Sequence, residues 1–239
     1  AVVAAGEVIL GRHCRRDRFR GEVWHAEHLG RPHPARGVHG SIWVGFASAQ
    51  GLRQLRDGRS VSSGPGAEQL GFVDAIEEER SGTRWAVAQS KLYRLDRTGW
   101  RHVSVSGGDV EPFSRVVNLR ARRSAGMFVL TSDGVFQQEP SGAFTRITGP
   151  PDPSGARLSA WTWDIGEGTD DSLWTTDMAA GFKQRVSGAN AWSQPESRVM
   201  GYRLLHDSRG GVWVGTIGEG LWRVLPAPRP QRWTIERIT

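Results

Sequence analysis

The chain alternates short apolar runs with clusters of turn-forming residues, and this pattern predicts β-strands along most of its length. The apolar runs are four to six residues long and rich in Val, Trp, Phe and Thr. Gly, Asp and Ser separate them at hairpin distances, as at residues 131–134, between two apolar runs. No window shows a long helical period. The chain is therefore predicted to be all-β.

The strand pattern repeats five times. Each copy has a small residue, a large anchor, another apolar residue and, seven to nine positions after the anchor, a second apolar residue that usually follows Gly. The anchors, at intervals of 42, 43, 46 and 39 residues, are Trp43, Trp85, Phe128, Trp174 and Trp213. A further aromatic residue follows in the last four copies, at Trp100, Phe144, Trp192 and Trp233. Such regularity predicts a repeat architecture.

Each repeat has the size of a β-propeller blade. The last copy contains four candidate strands, at residues 202–206, 212–216, 221–225 and 232–238. Four strands in about 43 residues match one blade, and a large anchor side chain fills the space between neighbouring blades. The predicted fold is an all-β propeller with about five four-stranded blades.

The last repeat resembles the two-component regulator propeller repeat. The resemblance rests on residues 204–216, LLHDSRGGVWVGT, and residues 219–223, EGLWR. The first copy keeps the anchor motif IWVGF at residues 42–46, and the middle copies keep mainly the spacing. Residues 1–39 do not fit the pattern. We therefore predict degenerate or irregular N-terminal blade material over residues 1–39 and propeller repeats over residues 40–239.

The resemblance implies a place in bacterial signal transduction. Propellers of this family commonly have seven blades and form the extracytoplasmic sensor part of membrane-bound histidine kinases, hybrid regulators or diguanylate cyclases. It implies a periplasmic or extracytoplasmic location and dimerisation through the full-length receptor. Because five repeats are fewer than seven, the chain is an arc of a larger propeller, gains blade material from residues 1–39, or closes a smaller ring. The first alternative is favoured.

Composition narrows the choice of partners. The net charge is +6, but the basic residues are spread along the chain and interrupted by acids, so no nucleic-acid partner is expected. No apolar stretch is long enough for a membrane-spanning helix. Cys14 is the only cysteine, which excludes an intrachain disulfide and a cysteine-based zinc site.

The sequence gives no sign of a metal, a cofactor or a catalytic group. Five of the seven histidines lie in residues 1–39, in an Arg-rich segment that lacks recognised ligand spacing. His206 and Asp207 are adjacent on a strand and point to opposite faces, so they cannot act as base and orienting acid. Asp207 is predicted to cap the turn before Gly210.

Ligand contacts are predicted where acids and tryptophans lie close together in the sequence. Trp161 and Trp163 lie beside a group of five acids, namely Asp164, Glu167, Asp170, Asp171 and Asp177. Paired carboxylates with flanking tryptophans suit a sugar-binding cleft, whereas a strand face beside a solvated turn gives the same pattern. The loops between second and third strands add Glu219. The candidate ligand-binding residues are Trp161, Trp163, Asp177 and Glu219.

The leading functional prediction is a non-catalytic ligand-sensing or interaction propeller. It binds a small molecule, a glycan or a protein at one face and relays occupancy to an output domain outside the chain. One alternative is a propeller enzyme similar to streptogramin lyases, for which His206 is the candidate general acid or base. The other is a scaffold that binds only protein chains.

Overall fold

A computed structural model shows a chain built from short antiparallel β-strands. It describes residues 2–4, 7–9, 33–36, 42–45, 51–56, 59–61, 63–103, 115–132, 134–147, 162–177, 181–189, 192–196, 199–207, 209–226 and 233–238. The chain divides into two units, one of residues 1–78 and 82–103 and the other of residues 79–81 and 104–239. Each unit is described separately.

Unit 1 contains two four-stranded sheets. Sheet 1 comprises β3 (His33–Arg36), β4 (Ile42–Gly45), β5 (Leu52–Arg56) and β6 (Arg59–Val61). Sheet 2 comprises β7 (Val73–Glu78), β8 (Arg84–Ala88), β9 (Lys91–Asp96) and β10 (Gly99–His102). A hairpin of β1 (Val2–Ala4) and β2 (Glu7–Ile9) precedes them. A 3₁₀ helix, Ala67–Leu70, lies between the two sheets in the chain.

Unit 2 contains three sheets of the same kind. Sheet 3 comprises β11 (Val116–Ala121), β12 (Met127–Thr131), β13 (Gly134–Gln138) and β14 (Phe144–Arg146). Sheet 4 comprises β15 (Thr162–Glu167), β16 (Leu173–Asp177), β17 (Gly181–Arg185) and β18 (Ser193–Glu196). Sheet 5 comprises β19 (Gly201–His206), β20 (Val212–Thr216), β21 (Leu221–Pro226) and β22 (Trp233–Ile238).

Sequence neighbours pair in every one of these five sheets, and all pairs are antiparallel. The predicted four-stranded repeat is confirmed. The domain boundary predicted at residue 40 stays a prediction. In the structure, β3 lies before this boundary and pairs with β4, which lies after it.

The predicted anchors occupy one structural position. Each is the second residue of the second strand of its sheet. Four are at most 3% exposed, namely Trp43, Trp85, Phe128 and Trp174, and Trp213 in sheet 5 is half-buried. Trp43 packs with sheet 2, Phe128 with sheet 4 and Trp174 with sheet 5, so within each unit the following sheet covers these anchors.

The core of unit 1 lies between its two sheets. Trp43 and Leu52 of sheet 1 pack with Val73 and Ile76 of sheet 2. The guanidinium carbon of Arg84 lies 5.0 Å from the centre of the Trp43 ring, a distance typical of a cation–π contact.

The core of unit 2 consists of two clusters, one on each side of sheet 4. Phe128 and Leu130 of sheet 3 pack with Ile165 and Leu173 of sheet 4. On the other side of sheet 4, the anchor Trp174 joins a cluster that includes residues of sheet 5, namely Leu204, Val212, Val214 and Val224. The first strands β11, β15 and β19 contact one another in sequence. This arrangement brings the starts of β15 and β19 together.

Candidate functional site

A β-bulge recurs near the start of the first strand in sheets 2 to 5. The pairing with the second strand skips one residue each time, between Val73 and Ala75 in sheet 2 and at the equivalent point in the others. The skipped residues are Asp74, Val117, Trp163 and Tyr202. A bulge re-aims a side chain away from the regular strand face. In sheets 4 and 5 the re-aimed side chains are both aromatic.

Trp163 and Tyr202 meet between sheets 4 and 5. Their ring centres are 5.1 Å apart, and the ring planes are inclined by 48°. The guanidinium carbon of Arg203 lies 4.8 Å from the centre of the Tyr202 ring. All three residues are half-buried. We call Trp163, Tyr202 and Arg203 the aromatic platform.

The backbone beneath the platform is held by buried polar contacts. The side-chain amide of Asn118 donates to the carbonyl of Trp163 at 2.8 Å. Asp164 is fully buried and accepts a two-point hydrogen bond from Arg120, at 2.5 and 2.6 Å. It also accepts from the backbone amides of Ile165 and Leu204, each at 2.9 Å. These bonds fix both strands that carry the aromatic rings, because a buried charge needs its partners to stay in place.

The structure positions the other predicted ligand residues differently. Asp177 is the last residue of β16 and pairs with Thr162, which precedes Trp163 in the chain. However, its side chain is 2% exposed and lies 3.9 Å from Lys183 Nζ, so its carboxylate is not presented at the surface. Glu219 lies in the loop between β20 and β21, where its backbone amide donates a hydrogen bond to Thr216 Oγ1 at 3.1 Å. Trp161 lies outside the described residues.

Sequence reasoning missed two members of the platform, Tyr202 and Arg203. A signal for Tyr202 was present, because it occupies the same position in its repeat as Trp163. No pattern in the sequence marks the bulge that brings the two rings into contact. The platform offers two inclined aromatic faces and a cation, which suit a sugar ring, a planar ring or an anionic group.

His206, the candidate for catalysis, ends β19 and packs against Gly166 of the neighbouring strand. A methyl group on Gly166 would lie 2.6 Å from His206 Nε2, so the imidazole occupies the space left by the glycine. Both ring nitrogens are buried. Burial lowers the pKa of His206, as does the nearby Arg123, while Asp170 and Asp164 oppose the change. A neutral, enclosed imidazole is poorly placed to exchange protons with a bound substrate.

Asp207 caps the turn between β19 and β20, as predicted. Its Oδ1 accepts from the amides of Arg209 and Gly211 at 2.9 and 2.8 Å, and its Oδ2 accepts from Trp213 Nε1 at 3.0 Å. The bonds from Trp213 and Gly211 hold the pKa of Asp207 below its usual value. Asp207 therefore connects the turn to the repeat anchor, and its role is structural.

Within the ranges given above, no three His, Cys, Asp or Glu side chains come together as a metal site would require. The same described ranges contain no helix with the length and apolar character needed to cross a membrane.

Comparison with known proteins identifies the fold. No family model and no curated protein matches the chain. Among solved structures, virginiamycin B lyase from Staphylococcus aureus superimposes with a TM-score of 0.62 at 13% identity, covering 86% of this chain and 69% of the lyase. The sheets described above are thus the blades of a β-propeller, and the predicted fold class is confirmed.

Two further similar structures are extracellular domains of hybrid two-component systems. The extracellular domain of the hybrid two-component system BT3049 from B. thetaiotaomicron matches with a TM-score of 0.61 at 19% identity, over 84% of this chain and 29% of that one. That of BT4673 from the same organism matches with a TM-score of 0.61 at 14% identity, over 86% and 30%. The chain thus spans about a third of those domains. The resemblance to two-component regulator propellers is confirmed at the level of the fold.

Proposed function

We propose that this chain is the ligand-sensing part of an extracytoplasmic bacterial receptor, and that it binds its ligand at the aromatic platform. The observation that carries the proposal is the contact between Trp163 and Tyr202. Bulges in two successive blades place these two rings side by side. The ligand is a small molecule, a glycan or a protein side chain that stacks on these rings. An output domain outside the 239 residues receives the signal, and the full-length receptor dimerises.

The contacts around the platform suit a binding site. Its rings are half-buried, and its backbone is held by Asn118 and Asp164. Such a preformed site loses little conformational entropy on binding. The proposed extracytoplasmic location of the chain agrees with the extracellular domains that share its fold.

The test is a binding screen with neutral and acidic oligosaccharides, followed by tryptophan fluorescence and calorimetry. We expect Trp163→Ala and Tyr202→Ala to weaken binding of any hit at least about tenfold, the loss expected from about 1.4 kcal/mol of stacking. Trp213→Ala removes a half-buried tryptophan outside the platform and serves as the matched control. Equal loss in all three variants, or none in the first two, would place the ligand elsewhere.

A second candidate function is catalysis of the lyase type, favoured by the shared fold. One similar structure is an inactive variant of the S. aureus lyase with quinupristin. The test is incubation of this chain with quinupristin, with conversion followed by liquid chromatography. Conversion that His206→Asn abolishes would support the enzyme, whereas an unchanged substrate supports the sensor.

A further inference from the structure

Three contacts follow one another along the neighbouring first strands β15 and β19. At one end lie the two rings of the aromatic platform, whose centres are 5.1 Å apart. Further along the two strands, the amide of Leu204 donates to Asp164 at 2.9 Å. At the other end His206 lies against Gly166, where a methyl group would come within 2.6 Å of Nε2. One interface therefore joins the aromatic platform to a titratable ring.

The space around His206 suits a neutral imidazole. Both ring nitrogens are buried, and neither makes a hydrogen bond of standard geometry to the described residues. Burial lowers the pKa of His206, and the backbone of Gly166 opposes this change only weakly. A protonated imidazole donates from both nitrogens and needs two acceptors when it is enclosed. A proton on His206 therefore places a poorly solvated charge between sheets 4 and 5.

The charged groups around the imidazole do not supply what a proton would need. Arg123 disfavours the protonated ring, whereas Asp170 and Asp164 favour it. Both carboxylates already have partners, because Asp164 binds Arg120 and Asp170 accepts from the Ser172 hydroxyl at 2.6 Å. Two further acids adjoin the site in the chain and are also engaged, namely Glu167 with Arg122 and Asp207 with Trp213.

We propose that His206 makes the aromatic platform sensitive to acid, because taking up a proton separates β19 from β15 and so parts Tyr202 from Trp163. The strand separation follows from the contacts of sheets 4 and 5, whereas its consequence for a ligand rests on the function proposed above. A ligand that needs both rings binds less well as the pH falls through the range in which histidine titrates. Acid outside the cell thus lowers the occupancy of the receptor.

Acid favours the separated strands because they bind the proton more tightly than the closed interface does. Separation brings the imidazole into water, where its pKa returns to its ordinary value near 6.5. Below that value the separated form carries a proton that the closed form lacks, so the equilibrium shifts towards separation. The shift ends where the pH passes below the lowered pKa of the closed form.

Hydrogen exchange of the Leu204 amide measures the separation, because this amide bonds to Asp164 across the interface. Exchange is followed by NMR between about pH 7 and pH 5 and corrected for the intrinsic pH dependence of amide exchange. We expect the opening constant to rise at least about threefold in the original chain and to stay nearly constant in His206→Gln. A second variant that does not titrate, His206→Asn, separates the effect of charge from a packing defect of the first.

The amide of Leu119 is the matched control within the same unit. It is buried in sheet 3 and bonds to the side chain of Asn118 at 2.9 Å, away from His206. Its opening constant should not depend on the residue at position 206. Equal responses at Leu119 and Leu204 would overturn the proposal, because the whole unit would then be opening. So would a response of Leu204 that both His206 variants retain, or no response at all.

The exchange measurement needs no ligand, so its outcome is independent of the binding screen that tests the platform. A ligand found in that screen should bind the original chain at least about twofold more weakly at pH 5 than at pH 7, and His206→Gln equally at both. Binding that Trp163→Ala weakens but pH does not change would overturn the regulatory role and leave the binding site in place.

Discussion

The interface between sheets 3 and 4 and the interface between sheets 4 and 5 involve equivalent strands but differ in the kind of contact that their side chains make. Between sheets 3 and 4 two ion pairs accompany the apolar contacts, one of Arg120 with Asp164 and one of Arg122 with Glu167, whose Nε and Oε1 atoms are 3.1 Å apart. Between sheets 4 and 5 the equivalent of Arg120 is Gly166 and the equivalent of Glu167 is His206. The His206 ring thus packs against Gly166 between sheets 4 and 5, whereas ion pairs lie between sheets 3 and 4. The repeat therefore specifies where sheets touch and leaves the kind of contact free.

Buried charge is also distributed unevenly between sheets 4 and 5. Asp164 serves both interfaces, because it accepts from Arg120 on one side and from the Leu204 amide on the other. Its equivalent in sheet 5, Arg203, is half-buried and lies over the Tyr202 ring. The most sensitive polar residue of unit 2 should therefore be Asp164.

The largest effect is expected from Asp164→Ala. Removing one partner of a buried ion pair costs about 3–5 kcal/mol, since the other charge is left without its counter-charge; Arg120 is one-third exposed in its side chain, so the lower end applies. Arg203→Ala, at the equivalent position of sheet 5, should change the free energy of unfolding by about 0.5 kcal/mol or less. Urea unfolding of both variants measures the contrast.

A double variant separates charge from packing. Arg120→Met combined with Asp164→Leu removes both charges and keeps apolar volume, and it should recover much of the stability lost in Asp164→Ala. Equal stability of Asp164→Ala and Arg203→Ala would show that the two interfaces do not depend on the shared carboxylate.

An intermediate effect is expected from Gly166→Ala. The added methyl group would lie 2.6 Å from His206 Nε2, so the ring must move, at a cost of about 1–3 kcal/mol. The matched control is Gly215→Ala, where the nearest atom, Arg203 Cβ, is 3.8 Å away. We expect the control to be neutral within about 0.5 kcal/mol.

Thermal unfolding followed by circular dichroism compares the two alanine variants. Combining Gly166→Ala with His206→Ala should restore stability if the clash is the cause, because the space is then free. A loss that persists in the double variant would mean that the backbone at Gly166, and not the imidazole, rejects the substitution.

The fold was predictable from the sequence because packing between blades requires a large side chain at the anchor position of each repeat. Trp43 and Trp174 fill the same gap in their blades, so the same residue type recurs at a fixed interval. The candidate site was only half predictable. Trp163 was found from its type, whereas its contact with Tyr202 depends on a bulge, and the burial of Asp177 depends on neighbouring strands. The contact between Trp163 and Tyr202 joins residues 39 positions apart and leaves no local pattern.

The smallest effect is expected from pH, and it should belong to the interface between sheets 4 and 5. Burial lowers the pKa of His206 in the folded chain below its ordinary value near 6.5. Below that value the unfolded chain binds a proton that the folded chain does not, so the free energy of unfolding falls as pH falls. The fall ends once the pH passes below the lowered pKa of the folded state.

His206→Gln keeps a polar side chain of similar reach and does not titrate, so it should remove this component. Urea unfolding at several pH values between about 7 and 5 gives the slope for both chains, and the difference should be less than one proton. Both chains retain the titrating carboxylates and the other histidines, which cancel in the comparison. Parallel slopes would mean that the imidazole is already solvated in the folded state. The contact of a neutral His206 ring with Gly166 would then not explain why the two interfaces differ.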